Sequence, residues 1–209
     1  MPFLAFIQQI IANFDQFYRK ITVSALNVNE GVIEYFTDEN LAKDEFHKAA
    51  FSSTCIPGAF PNYHWEQPDG TFKNYSDNFM LTNVNTESVI TRCLELVDDE
   101  SKITIDVLLL GEMKDIEIYD YHDPNAWDWQ NQSWNALGYF MRARDIGYIY
   151  SNSNSIFKDI DQHPNVNWRY IVQQENALNG TGQLFFSPET TWPLQEEGRR
   201  VAQDILANP

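Results

Sequence analysis

The most constraining stretch of the chain is Ala49-Ala50-Phe51-Ser52-Ser53-Thr54-Cys55-Ile56-Pro57-Gly58-Ala59-Phe60-Pro61. It reads as a helix end breaking into a turn. Pro57 and Pro61 lock φ, and Gly58 admits a backbone geometry that other residues avoid. Tyr63–Trp65 and Thr71–Tyr75 then flank Pro68-Asp69-Gly70 as a short hairpin. The second strand leads into Tyr75-Ser76-Asp77-Asn78, so it delivers one carboxylate at its end. Two roles compete for Asp77. It caps its own turn, as Asp commonly does, or it projects into a cleft just before Asn78, a residue that tolerates positive φ. Ser52 and Ser53 read as helix-end hydroxyls that bond freed carbonyls rather than as nucleophiles.

Around this stretch the pattern alternates between helix and strand. Phe3, Phe6, Ile7, Ile10, Phe14 and Phe17 recur at helical spacing and predict a helix over residues 3–18. Its polar side carries Gln and Asn rather than Lys or Arg, which favours packing against a sheet over lying on a membrane. Ile21–Val28 and Val32–Phe36 predict a hairpin across Asn29-Glu30-Gly31, and a helix follows up to about Phe51. Thr86 is placed to cap a helix to about Val97, with Val89, Ile90, Cys93, Leu94 and Val97 facing in. Ile103–Leu110 is almost continuously apolar, the signature of a parallel strand covered on both faces. A helix over Ser133–Arg144, a polar break at Asn152–Asn154, a strand over Asn167–Gln173 and a last helix opened by Pro193 complete an α/β rhythm.

Composition excludes several function classes. The 209 residues carry 14 Lys plus Arg against 30 Asp plus Glu, a formal charge of −16. Such a surface repels phosphate backbones and argues against nucleic acid as a partner. It also argues against docking on anionic lipid, while apolar insertion into a membrane surface stays compatible with it. Two cysteines, Cys55 and Cys93, make no disulfide framework and favour a reduced, cytoplasmic setting. No run approaches the roughly 18 apolar residues of a transmembrane span. His64 and His122 lack any zinc-ligand spacing, so no metal is expected. Residues 112–134 interleave aromatics, amides and carboxylates; Asp120, Asp123 and Asp128 do not match a calcium loop, and a long surface loop is the plainer reading.

The order of helix, SSxxIPGxFP turn, hairpin and strand-borne Asp77 resembles the C-terminal half of the patatin-like lipid acyl hydrolases. The segment KITVSALNVNEGVIEYF, over residues 20–36, and the closing VNWRYIVQ and GRRVAQDIL fit the same pattern. The resemblance implies a single, incomplete domain over 1–209. Its expected fold is the C-terminal part of a three-layer α/β fold with a mostly parallel central sheet and β-hairpin additions. It also implies a Ser-Asp dyad in which Asp77 takes the proton of a serine on a G-x-S-x-G elbow, without organic cofactor or metal. No G-x-S-x-G occurs among the nine glycines. The serine and the glycine-rich oxyanion loop belong to the family's N-terminal half, which would precede Met1. Asn78 and Phe79 stand where that family has small residues. The chain alone is therefore expected to be inactive, with a lipid ester as substrate once completed and a protein partner on its open sheet edge. Two other readings follow: a non-catalytic scaffold or interaction subunit of the same fold, and a carbohydrate-binding module built on Trp127 and Trp129.

Overall fold

A computed structural model describes residues 2–79, 81–109, 136–173 and 187–207. The chain divides into two compact units, residues 1–95 and 96–209.

The first unit is built on two hairpins. β1 (Thr22–Asn27) pairs antiparallel with β2 (Val32–Thr37). Their turn is held by Asn27, whose Oδ1 accepts the N–H groups of Asn29 and Glu30, and by Gly31 at φ +71°. β3 (Tyr63–Glu66) pairs antiparallel with β4 (Phe72–Ser76). There Asp69 Oδ1 accepts from Thr71 N–H at 2.9 Å, and Gly70 takes φ +80°. β1 and β4 join the hairpins at Leu26–Ser76 and Asn27–Tyr75, giving the order β2-β1-β4-β3. The core packs Ala25, Trp65 and Tyr75 of the sheet with Ala49 of α2 (Phe46–Ser52), and Val23, Phe36, Leu41 and Tyr63 lie around them.

The fold is thus mixed α/β, as expected, but a mostly parallel central sheet is not what these strands form. The reason is connection length. A parallel pair needs a crossover of a dozen or more residues, and Val28–Gly31 and Gln67–Thr71 are hairpin turns. Parallel pairing occurs in the second unit, where β5 (Thr104–Leu108) runs beside β6 (Asn167–Val172). Ile103, Ile105, Val107 and Leu109 are buried there, while Thr104, Asp106 and Leu108 are exposed. β5 therefore alternates instead of being covered on both faces.

Helix bounds differ from the periodicity in instructive ways. α1 (Pro2–Ala12) stops short of Tyr18, its end tightening through Asn13 N–H to Ile10 O and Phe14 N–H to Ile11 O. None of its residues is buried, and α2 is its neighbour through Phe3 and Phe51, with rings 6.1 Å apart. α3 (Thr86–Leu94) is capped by Asn85, which accepts from Ser88 N–H, one residue before Thr86. Its buried positions are Thr86, Ile90 and Arg92; Val89 and Leu94 are exposed. Arg92 is turned inward because Asp38, 2.6 Å away, neutralises it. α4 (Ala136–Gln162) runs straight through the expected break. Ser151, Asn152 and Ser153 are buried, and Ser155 Oγ donates back to Ser151 O at 2.8 Å, so the small polar residues are absorbed by the helix. α5 (Pro188–Ala207) begins at Pro188, where a missing N–H costs nothing, and holds Pro193 inside; Val201 is buried as expected.

One polar knot ties the two hairpins. Glu34 on β2 accepts from Tyr75 OH at 2.5 Å, Lys73 Nζ at 2.8 Å and Asn27 Nδ2 at 2.7 Å. Burial alone would push the Glu34 carboxyl up; the bonds from Lys73, Tyr75 and Asn27 outweigh it and hold the carboxyl below its ordinary value of 4.5. A carboxyl depressed in the folded state stabilises above its unfolded value, and that contribution fades as pH falls through the folded value. Glu34→Gln is expected to cost about 1–3 kcal/mol at neutral pH. The gap to the wild type should close as urea denaturation is repeated at pH values stepping down below 4.5. A gap that stays constant across that range would show that the charge of Glu34 does not hold the hairpins together.

Candidate active site

The turn after α2 is wound tightly by its own backbone. Ser53 N–H reaches Ala49 O, Thr54 N–H reaches Phe51 O and Cys55 N–H reaches Ser52 O. Ser52 Oγ donates back to Lys48 O at 2.8 Å and Thr54 Oγ1 to Phe51 O at 2.7 Å. Ser52 is fully buried, so its hydroxyl is spent on ending the helix, as the sequence suggested. Gly58 then takes φ +81°, a region open to glycine at no steric cost, and Ala59 and Phe60 return to Ile56 O.

The turn is fastened to the end of β4 at one atom. Cys55 O accepts both Asp77 N–H at 2.9 Å and Ser76 Oγ at 2.8 Å. The Asp77 backbone is thereby fixed against the Cys55–Pro61 turn, a juxtaposition of segments some twenty residues apart. Asp77 Oδ1 accepts Phe79 N–H at 2.8 Å, so the carboxylate does cap its own turn. Its second oxygen has no hydrogen-bond partner among the described residues. Burial raises the Asp77 carboxyl above its ordinary value of 3.8, and the Phe79 N–H offsets only part of that rise. Among the described residues no cation contributes. Beside it, burial pushes the Cys55 thiol up, and the Asp77 charge adds to the effect.

Asn78 does its work with its side chain. No described residue other than glycine has positive φ, so Asn78 does not take the left-handed conformation expected of it. The chain instead continues in a helical sense, with Leu81 and Thr82 N–H both reaching Asn78 O. Buried Asn78 spans to Ser24 Oγ on β1 at 3.2 Å and to Thr82 O at 2.9 Å. Phe79 is buried too, packed directly after the carboxylate.

Other candidates fall away or lie elsewhere. Asp106, another strand-borne carboxylate, is paired with the Arg169 guanidinium, which holds its carboxyl below its usual range and makes it the weaker base. His64 is exposed on β3. Glu112, Asp120, His122, Asp123, Trp127, Asp128 and Trp129 lie outside the described residues. Among the described residues no three His, Cys, Asp or Glu side chains converge to hold a metal ion, and no helix is long and apolar enough to cross a membrane. Ser24 and Glu34, which brace this region, gave no sequence signal, since their partners lie 54 and about 40 residues away. No family model matches the chain, and no curated protein matches it.

The raised carboxyl gives a sign-definite test. A group raised in the folded state leaves stability intact below its unfolded value and costs stability as pH rises through the folded one. Asp77→Asn keeps an oxygen for Phe79 N–H and removes the desolvated charge. Thermal unfolding should therefore show the variant more stable than the wild type at pH 7, with the advantage vanishing below pH 3.8. Equal or lower stability at pH 7 would mean that the charge of Asp77 is not penalised by its surroundings.

Proposed function

We propose that Asp77 is the general base of a Ser-Asp dyad that hydrolyses lipid acyl esters, in a patatin-like three-layer arrangement. The serine comes from outside these 209 residues. One observation carries this reading: a carboxylate with one oxygen anchored, the other open, and an affinity for protons raised by burial, held rigidly against a Pro-Gly turn. A base must be positioned, ionised at working pH and willing to accept a proton. Asp77 is positioned by its anchored oxygen and its backbone bond to Cys55, and burial raises its affinity for protons, with no histidine involved.

In the proposed step the open oxygen of Asp77 takes the serine hydroxyl proton as the serine oxygen attacks the ester carbonyl carbon. The tetrahedral intermediate collapses, the alcohol leaves with that proton, and an acyl-serine remains. Water repeats the sequence: Asp77 accepts its proton, the hydroxyl attacks the acyl carbon, and the proton returns to the serine as the fatty acid departs. Backbone N–H groups for the oxyanion come with the serine, because the Ser53, Thr54 and Cys55 N–H groups are already bonded.

Buried Phe79 favours the competing reading of a non-catalytic scaffold, because a bulky ring occupies the residue two beyond the base. The two separate experimentally. The native protein, captured from its source with an antibody to this chain, is treated with a fluorophosphonate probe and assayed on p-nitrophenyl butyrate. The expected result is a labelled serine outside residues 1–209, ester turnover by the captured assembly and none by the isolated chain. Asp77→Asn in that assembly should lower kcat by about 10²–10⁴-fold with the fold intact. Absence of both labelling and turnover in the captured assembly establishes the scaffold instead.

A further inference from the structure

We propose that the β3 edge of the four-stranded sheet pairs with the same edge of a second copy of this chain, β3 against β3 in antiparallel order. This edge is independent of any role of Asp77.

The two edges of the sheet differ. In the order β2-β1-β4-β3 the outer strands are β2 and β3. On β2, Asp38 N–H bonds Ile21 O, so Val32, Glu34 and Phe36 turn their backbone groups to β1, and Ile33, Tyr35 and Thr37 turn theirs outward. Asn40 there takes the place of a neighbouring strand. Its Oδ1 accepts from Thr37 N–H at 2.7 Å and its Nδ2 donates to Tyr35 O at 2.9 Å, while Thr37 O accepts from the Asn40 and Leu41 N–H groups. No two successive outward residues of β2 keep all four groups free. On β3, Gln67 N–H bonds Thr71 O, so Tyr63 and Trp65 face β4 while His64 and Glu66 face outward. Both are exposed, and their four backbone groups have no partner among the described residues. An open row of this kind is a template for another strand.

Side-chain complementarity selects the partner and the register. An antiparallel pair centred on Trp65 sets His64 opposite the partner's Glu66, and Glu66 opposite the partner's His64. The two copies then exchange four N–H to C=O bonds, and a base faces a carboxylate on each side of the centre. The His64 ring carries an N–H for that carboxylate in either protonation state. Registers centred on His64 or on Glu66 put like side chains face to face. The second of these also sets His64 opposite the partner's Pro68, which has no N–H to give. The Tyr63–Glu66 edge is thus complementary to itself in one register, and a second copy supplies everything that register needs. The formal charge of −16 opposes the approach of two copies, so association is weak and depends on this local match.

Analytical ultracentrifugation of the full chain, over a concentration series into the millimolar range, should show a monomer–dimer equilibrium. Amide hydrogen exchange followed by NMR should slow at His64 and Glu66 as the dimer forms, and not at Ile33 or Tyr35. His64→Lys should tighten the dimer about threefold or more, and His64→Glu, which sets carboxylates opposite each other, should weaken it about tenfold or more. His64→Glu combined with Glu66→Lys restores opposite charges across the pair and should return the affinity to the wild-type range or above it. The decisive variant combines His64→Lys with Glu66→Lys. It is the least acidic of the set, so its net charge favours self-association, yet lysine faces lysine in the register and the chain should stay monomeric. A monomer at every concentration, a dimer that leaves the His64 and Glu66 amides unprotected, or a double-lysine variant that dimerises as tightly as the wild type overturns the proposal.

Discussion

The carbonyl of Cys55 accepts two donors from the end of β4, and the geometry of the candidate site depends on that junction. Neither segment is rigid by composition alone. The turn owes its shape to Pro57, Gly58 and Pro61, and the strand end to its pairing with β3 at Tyr75 and with β1 at Tyr75 and Ser76. What relates them is the pair of bonds from Asp77 N–H and Ser76 Oγ. Each is worth about 1 kcal/mol net, and losing both would leave a buried acceptor without a partner, which costs more than the bonds contributed. Ala49 and Phe51, just upstream, are buried in the same unit, so the junction also fixes where α2 meets the sheet.

The carboxylates of the chain illustrate how environment divides one chemistry into separate roles. Glu34 is surrounded by donors and is held ionised, which suits a structural clasp. Asp106 is paired with Arg169 on an exposed strand face and is likewise held low. Asp77 has the opposite surroundings: burial, a single backbone donor and no described cation. Groups of the same type pushed apart in proton affinity are what acid–base chemistry requires, whereas groups pushed down together serve folding.

Much of the first unit was legible in the sequence. Asn27 to Gly31 and Pro68-Asp69-Gly70 mark turns by residue type, and the strands beside them alternate as half-buried strands do, so both hairpins follow from local rules. Asp77 at a strand end was legible for the same reason. The bracing of the site was not. Ser24 and Asn78, or Glu34 and Tyr75, meet only after the hairpins have paired, and no local pattern encodes which β-strand lies beside which. The misread elements fail for physical reasons of the same kind. Asn152-Ser153-Asn154 reads as a break because these residues compete for backbone bonds, but a 27-residue helix supplies enough neighbours to absorb them. The inward turn of Arg92 depends on Asp38, which comes from another element to neutralise it and leaves no local pattern.

The join between the hairpins has a mechanical consequence. Within each hairpin the strands pair along their length, whereas β1 and β4 pair only at Leu26–Ser76 and Asn27–Tyr75. Beyond those two pairs the join is carried by Val28 N–H to Asn74 O, by the Glu34 bonds to Lys73 and Tyr75, and by the Ser24–Asn78 side-chain bridge. Asp77 sits next to the Ser24–Asn78 bridge, at the strand end fastened to the Cys55 turn. Weakening that bridge would therefore be felt at Asp77 before it is felt elsewhere in the site, while the two bonds to Cys55 O keep the strand end and its turn together.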